Sequence, residues 1–237
     1  MPLPKIDVPI YDLKLHSSGK DIRYRPFLVK EEKILFMAME GNDPVEQVLA
    51  MKQIIRNCVL DEDLNIDDLP LYELEHILLK LRSKSVNNLA EVMFNCQQEN
   101  CNGKIPVQID LDKVYVSTDE THTKTIQLTD QIGLIMKYPG LETMVKIQNT
   151  EDTMENMLMM VENCVECVYD SEETYKLEDY SKEDKRDFFD SLTQTQFLAV
   201  RNFFDTIPKL QYTAETRCPN CGHEGQTVVE GMENFFG

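Results

Sequence analysis

The chain has 237 residues, with 42 acidic against 24 basic side chains and a formal net charge of −18. That balance repels bare nucleic acid and anionic membranes at long range, and no apolar run reaches the roughly 18 to 20 residues of a spanning helix. The opening Met1-Pro-Leu-Pro-Lys-Ile-Asp7 lacks the apolar stretch of a secretory signal, so a cytosolic product is expected. Seven cysteines, an odd number in such a chain, then argue for thiols or a metal site over a disulfide framework.

Tyr11, Leu13 and Leu15 alternate with polar residues, Ser17-Ser18-Gly19-Lys20 supplies turn chemistry, and Ile22 and Tyr24 resume the alternation, which predicts a β-hairpin closed by Pro26. From about Lys30 the period becomes helical through Ile34, Leu35, Met37 and Ala38, stopping at Gly41 to Pro44. Asp43 is placed to cap a second helix with Pro44 at its first position, carrying Val45, Val48, Leu49, Ile54, Ile55 and Val59. An acidic stretch, Asp61 to Asp68, separates it from a third helix over roughly Pro70 to Ser83. That stretch lacks the glycine and the final glutamate of a calcium loop and reads as solvated.

Alternation returns at Val107, Ile109 and Leu111, and Thr125 to Leu128 with Ile132 to Tyr138 flank a turn at Thr129-Asp130. From Leu141 to Ile207 the pattern is helical again, with a capping start at Ser181 to Asp184. Phe188, Phe189, Leu192, Phe197, Leu198, Val200, Phe203 and Phe204 are expected to supply a core. Tyr212 to Thr216 and Thr227 to Val229 then read as strands around Cys218-Pro-Asn-Cys221-Gly-His.

Two thiols three residues apart at a hairpin tip, with a glycine next to let the backbone turn at positive φ, form a zinc knuckle. Cys96-Gln-Gln-Glu-Asn-Cys101-Asn-Gly is a second pair with the longer spacing zinc still allows. The two together predict a zinc ribbon holding one structural Zn(2+) through Cys96, Cys101, Cys218 and Cys221. The 116 residues between Cys101 and Cys218 become an insertion whose ends return to the metal. A redox Cys-x-x-Cys needs a helix starting at the pair, whereas Gly222-His223-Glu224-Gly225 leads into a strand. Cys164-Val-Glu-Cys167 has the same spacing but falls in a helical pattern from Met154 to Tyr169, so those thiols, like Cys58, are read as buried small hydrophobes.

The expected fold class is α+β: a mainly helical body with short antiparallel β-hairpins and a zinc ribbon assembled from two distant knuckles. The domains expected are 1–90, a hairpin plus three helices; 91–116 with 210–237, the discontinuous ribbon; and 117–209, a hairpin and helical insertion. No His-Glu-x-x-His, phosphate-cradling glycine loop or Gly-x-Ser-x-Gly elbow occurs, so neither catalysis nor a small-molecule substrate is expected. The basic segment with Arg23, Arg25 and Lys30, and the terminal Phe235 and Phe236, are candidate partner contacts. The aromatic pair has packing on its own ribbon as the alternative.

Five stretches together resemble one family. They are Met1-Pro-Leu-Pro-Lys5, Arg23-Tyr-Arg-Pro-Phe-Leu-Val-Lys-Glu-Glu-Lys33, Leu79-Lys-Leu-Arg-Ser-Lys-Ser85, Ile132-Gly-Leu-Ile-Met-Lys-Tyr-Pro139, and the ending Cys218-Pro-Asn-Cys221-Gly-His with Phe235-Phe236. The chain is similar over most of its length to the baseplate hub and hub-assembly proteins of T-even-type tailed bacteriophages. The resemblance implies a non-catalytic structural or assembly protein of the contractile-tail hub, made in the host cytoplasm and then a candidate for the virion baseplate, with other tail proteins as partners. The alternative is a zinc-ribbon nucleic-acid-binding regulator, which requires a local basic face.

Overall fold

The computed structural model describes residues 6–41, 43–147 and 153–235 and is α+β. In chain order its elements are β1 (Tyr11–Lys14), β2 (Asp21–Tyr24), α1 (Val29–Gly41), α2 (Pro44–Cys58), α3 (Leu71–Ser85), β3 (Leu89–Asn95), β4 (Lys104–Asp110) and β5 (Tyr115–Ser117). There follow β6 (Thr125–Gln127), β7 (Gly133–Met136), α4 (Leu141–Ile147), α5 (Thr153–Cys164), β8 (Val165–Tyr169) and β9 (Thr174–Lys176). Last come α6 (Lys182–Asp190), α7 (Gln194–Thr206), β10 (Lys209–Arg217) and β11 (Glu224–Glu230). Two compact units result: Met1–Ser117 with Lys209–Gly237, and Thr118–Pro208.

In the first unit β1 and β2 pair antiparallel from Tyr11 opposite Tyr24 to Lys14 opposite Asp21. Their turn is fastened to α3, whose fully buried Glu73 carboxylate accepts the amides of His16 (2.9 Å) and Ser17 (2.7 Å). Helix α2 starts as its sequence dictates, with the Asp43 side chain accepting from the Val45 amide beside Pro44. It buries Ile54, Ile55 and Cys58.

Helix α1 buries only Ala38 and Glu31, while Val29, Phe36, Met37 and Met39 are 62 to 66% exposed. The helix is apolar on nearly every side, so periodicity could not select a face.

Strands β3 and β4 form a hairpin from Leu89 opposite Asp110 to Asn95 opposite Lys104, and β10 pairs with both β11 and β5. Alternate residues of these strands (Ala90, Val92, Ile105, Val107, Ile109, Leu210, Ala214, Val229) meet Leu79 of α3 and Phe235 in one core. At period two, each hairpin delivers its tip cysteines to the end of that core.

The second unit is built on the antiparallel meander β6-β7-β8-β9, packed on α5, α6 and α7 through Leu134, Met136, Val161, Phe189, Val200 and Phe203. Here the expected continuous helix across Cys164 and Cys167 is corrected. Helix α5 ends at Cys164 and Val165–Tyr169 is an inner strand of the sheet. Its β-branched Val165 and Val168 pair with Met136 and Leu134 of β7, and the sheet ladder outweighs a helical period that extends into this segment. Both thiols are buried nonetheless. Ser181 and Asp184 form the expected capping box, and a second, Thr193 with Gln196, opens α7. Leu198, assigned to the core, is 52% exposed.

Candidate metal centre

Cys96 leaves the end of β3 and its amide donates to the Gly103 carbonyl (2.8 Å), while the Cys101 amide donates to the Gln98 carbonyl (3.0 Å). Asn100 closes this loop at φ +63°, a left-handed conformation asparagine tolerates. On the other hairpin the Cys218 amide donates to the His223 carbonyl (2.8 Å) and the Gly222 amide to the Cys218 carbonyl (2.9 Å). Gly222 sits at φ +73°, where a side chain would be strained.

The two tips bring four sulfurs within 4.8 Å of one another. Cys96 Sγ lies 3.7 Å from Cys221 Sγ, and Cys101 Sγ 3.7 Å from Cys218 Sγ. Zinc–sulfur bonds of about 2.3 Å in a tetrahedron require edges of about 3.8 Å, so the donor set and its spacing fit one zinc ion. Cys218 and Cys96 are buried, Cys101 is half-buried and Cys221 exposed. His223 stands outside the sulfur cluster, with its Nε2 3.3 Å from Gln98 Nε2.

Three features supply the electrostatics. The Asn220 side-chain amide, 3.5 Å from Cys101 Sγ, and then the Gly103 amide pull the Cys101 thiol down to about 6. The amides of Cys221 and Asn220 likewise lower Cys218. Against a hydrogen bond from the Gln98 amide, burial and the neighbouring sulfurs hold Cys96 up at about 12; Cys221 is raised in the same way against a His223 amide bond. Four sulfurs this close cannot all carry charge without a cation, and binding a metal would displace the protons they retain.

The role of Gly103 was not legible in the sequence, and its backbone is not left-handed. A Cβ there would sit 2.7 Å from Cys218 Sγ, 2.9 Å from Asn220 Cβ and 3.2 Å from Cys101 Sγ, so glycine is what lets the second hairpin approach the first. Asn220 was also missed, and only its place between two cysteines hinted at it.

The remaining candidates are dispersed. Arg25 is 14% exposed and bonded inward, with Nη2 3.0 Å from the fully buried Glu31 and 2.7 Å from the Asn57 carbonyl, so it is a structural cation and presents little to a partner. Arg23 is exposed and faces Asp61 (3.5 Å), and Lys30 is exposed at 3.3 Å from Glu31. Phe235 is fully buried in its own unit's core, which is the packing alternative, and Phe236 lies outside the described residues. Cys58 and Cys164 are pushed up by burial, to about 11 and about 12, and are inert.

Comparison with known proteins places the chain in a family. Residues 8–237 match the family model described as T4 bacteriophage base plate protein. The chain is also 25% identical over 227 residues, 95% of its own length and 97% of the other's, to the baseplate hub assembly protein gp26 of Enterobacteria phage T4. No solved structure matches. The chain belongs to the T4 base plate protein family.

Proposed function

We propose that this chain is a non-catalytic structural or assembly protein of a phage tail baseplate hub, its first unit held by one structural zinc bound by Cys96, Cys101, Cys218 and Cys221. The observation that carries the metal reading is the meeting of four sulfurs, from hairpins 116 residues apart, at tetrahedral spacing. Zinc bound by four thiolates has no open position for water or substrate, so the ion would lock the two hairpins and supply no Lewis-acid chemistry. The hub role rests on family membership and on the similarity to a hub assembly protein. Its partners would then be other tail proteins, met in the host cytoplasm and in the baseplate. A nucleic-acid reading needs a free basic face, and Arg23, Arg25 and Lys30 each face Asp61 or Glu31.

Two measurements test this. Metal content by mass spectrometry on wild type beside a Cys101→Ser, Cys218→Ser variant is expected to give one zinc per chain, lost in the variant; wild type without zinc would remove the metal reading. Co-expression with the other baseplate proteins, followed by affinity purification, is expected to recover a tail protein in stoichiometric amount. Failure to recover any would remove the hub role while leaving the metal reading standing.

A further inference from the structure

The unit Thr118–Pro208 contains none of the four clustered thiols, yet it carries a cavity of about 400 Å³ that the metal reading does not use. This is within the range of ligand pockets. Its lining is aliphatic at Val168, Leu177 and Ile132 and aromatic at Tyr175, Tyr180 and Phe188. Tyr175 and Tyr180 stand at 65° to each other with centroids 6.5 Å apart, so one offers its edge where the other offers its face. Two of the unit's exposed large apolar side chains, Ile132 (37%) and Tyr180 (41%), belong to this lining.

Carboxylates complete it. Asp170 lines the cavity and is fixed there by the Tyr175 hydroxyl (2.9 Å) and the amides of Glu172 and Glu173 (2.8 Å each). Those bonds hold the Asp170 carboxyl below its usual range. Asp184 also lines it. Its Oδ2 serves the capping box with Ser181, while Oδ1 makes no hydrogen bond among the described residues. The only cation in the lining is Lys185, which leaves one carboxylate in excess.

We infer that this pocket receives an arginine side chain carried by a partner protein. Aliphatic lining suits the three-methylene stem, ring faces attract a planar guanidinium, and a carboxylate with an unused oxygen accepts its N–H groups. An apolar side chain would leave Asp184 Oδ1 without a donor, and an anion would be repelled by the two carboxylates.

The test uses the full chain and three small probes: N-acetyl-arginine methylamide, its neutral isostere N-acetyl-citrulline methylamide, and N-acetyl-lysine methylamide. Methyl NMR signals of Ile132, Val168 and Leu177 report occupancy. The arginine probe is expected to shift them saturably and to bind about tenfold tighter than citrulline. Tyr180→Leu is expected to weaken it about fivefold, and Asp184→Asn, which keeps a capping acceptor, about threefold. Equal binding of citrulline, tighter binding of lysine, or shifts spread over the acidic surface without saturation at these methyls would each overturn the assignment.

Discussion

Gly103 lies so close to Cys218 that a single added methyl would overlap the sulfur, at 2.7 Å. The two hairpins meet at the four-cysteine cluster through this contact. Gly103→Ala is therefore expected to cost about 1 to 3 kcal/mol of stability, as overpacking does, and to weaken zinc at least about tenfold by spreading the sulfurs. Denaturant unfolding together with a chelator competition measures both. Unchanged zinc affinity would mean that the hairpins have room to move.

On the proposed zinc reading, removal of the ion should act unevenly. Structural zinc contributes about 10 to 16 kcal/mol in small finger peptides, comparable to or larger than the stability of a whole domain. With excess chelator, amide exchange is expected to lose protection across β3-β4 and β10-β11, whose tips carry the four cysteines. The β7-β8 ladder, in the other unit and packed on α5 to α7, should keep its protection. Uniform loss across both ladders would show that the two units unfold together.

Local chemistry explains what was legible. The Asp43 cap, the Ser181 box and the first hairpin each lie within a few consecutive residues, and the structure has all three. The two cysteine pairs were readable because knuckle spacing is a strong local signal. The break at Cys164 was not, because Val161, Cys164, Val165 and Val168 satisfy a helical period while Val165, Cys167 and Tyr169 satisfy a strand period; pairing with Met136 and Ile135 decides for the strand. The role of Gly103 was hidden for a similar reason. Its constraint comes from a sulfur 115 positions away in the chain.

Arg25 and Glu31 predict a stability effect where a binding effect was expected. Burial pushes the Glu31 carboxyl up, but the Arg25 guanidinium and the Leu28 amide outweigh it and hold it below its usual range. Arg25→Met leaves the buried Glu31 carboxylate with only the exposed Lys30 ammonium and the Leu28 amide and should cost about 2 to 4 kcal/mol, whereas the Arg25→Met, Glu31→Leu pair should recover much of that. Because the Glu31 carboxyl is depressed, its share is present above the ordinary carboxylate range and is lost as pH falls below it. A double-mutant cycle by chemical denaturation decides, and additive losses would remove the coupling.

His76 gives a second pH dependence, in a different window. It is buried on α3, and its Nδ1 has no hydrogen-bond partner among the described residues. Burial, with help from Lys80 and His16 and against the pull of Glu73, pushes it from 6.5 down to about 4. Between those values the unfolded chain binds the proton and the folded chain does not. Stability is therefore complete above about pH 6.5 and declines as pH falls towards 4. His76→Leu is expected to lose about 2 kcal/mol less than wild type between pH 7 and 4.5, measured at fixed zinc. Identical pH profiles would mean that His76 titrates normally in the fold.

The exposed side of α1 is where a protein partner should be sought. Val29, Phe36, Met37 and Met39 are each more than 60% exposed on one helix, with Leu49 of α2 at 54% and Leu35 at 36%. Single exposed apolar residues are ordinary, but Phe36 and Met39 stand one helical turn apart with Met37 beside them, an exposed apolar patch on α1. Lys30 lies on the same helix, 65% exposed, and its charge adds direction to an otherwise apolar surface. The patch makes few contacts within the fold, so Phe36→Ser with Met39→Ser should change stability by no more than about 0.5 kcal/mol each. If the patch is a hub-protein contact, the same pair should reduce recovery of the tail partner at least about tenfold, since buried aromatic and methionine side chains carry much of an interface's energy. The two readouts separate the explanations. Lost recovery with unchanged unfolding places the partner on α1; lost stability shows that the helix packs inward more than its exposure indicates; and unchanged recovery moves the contact to another face of the molecule.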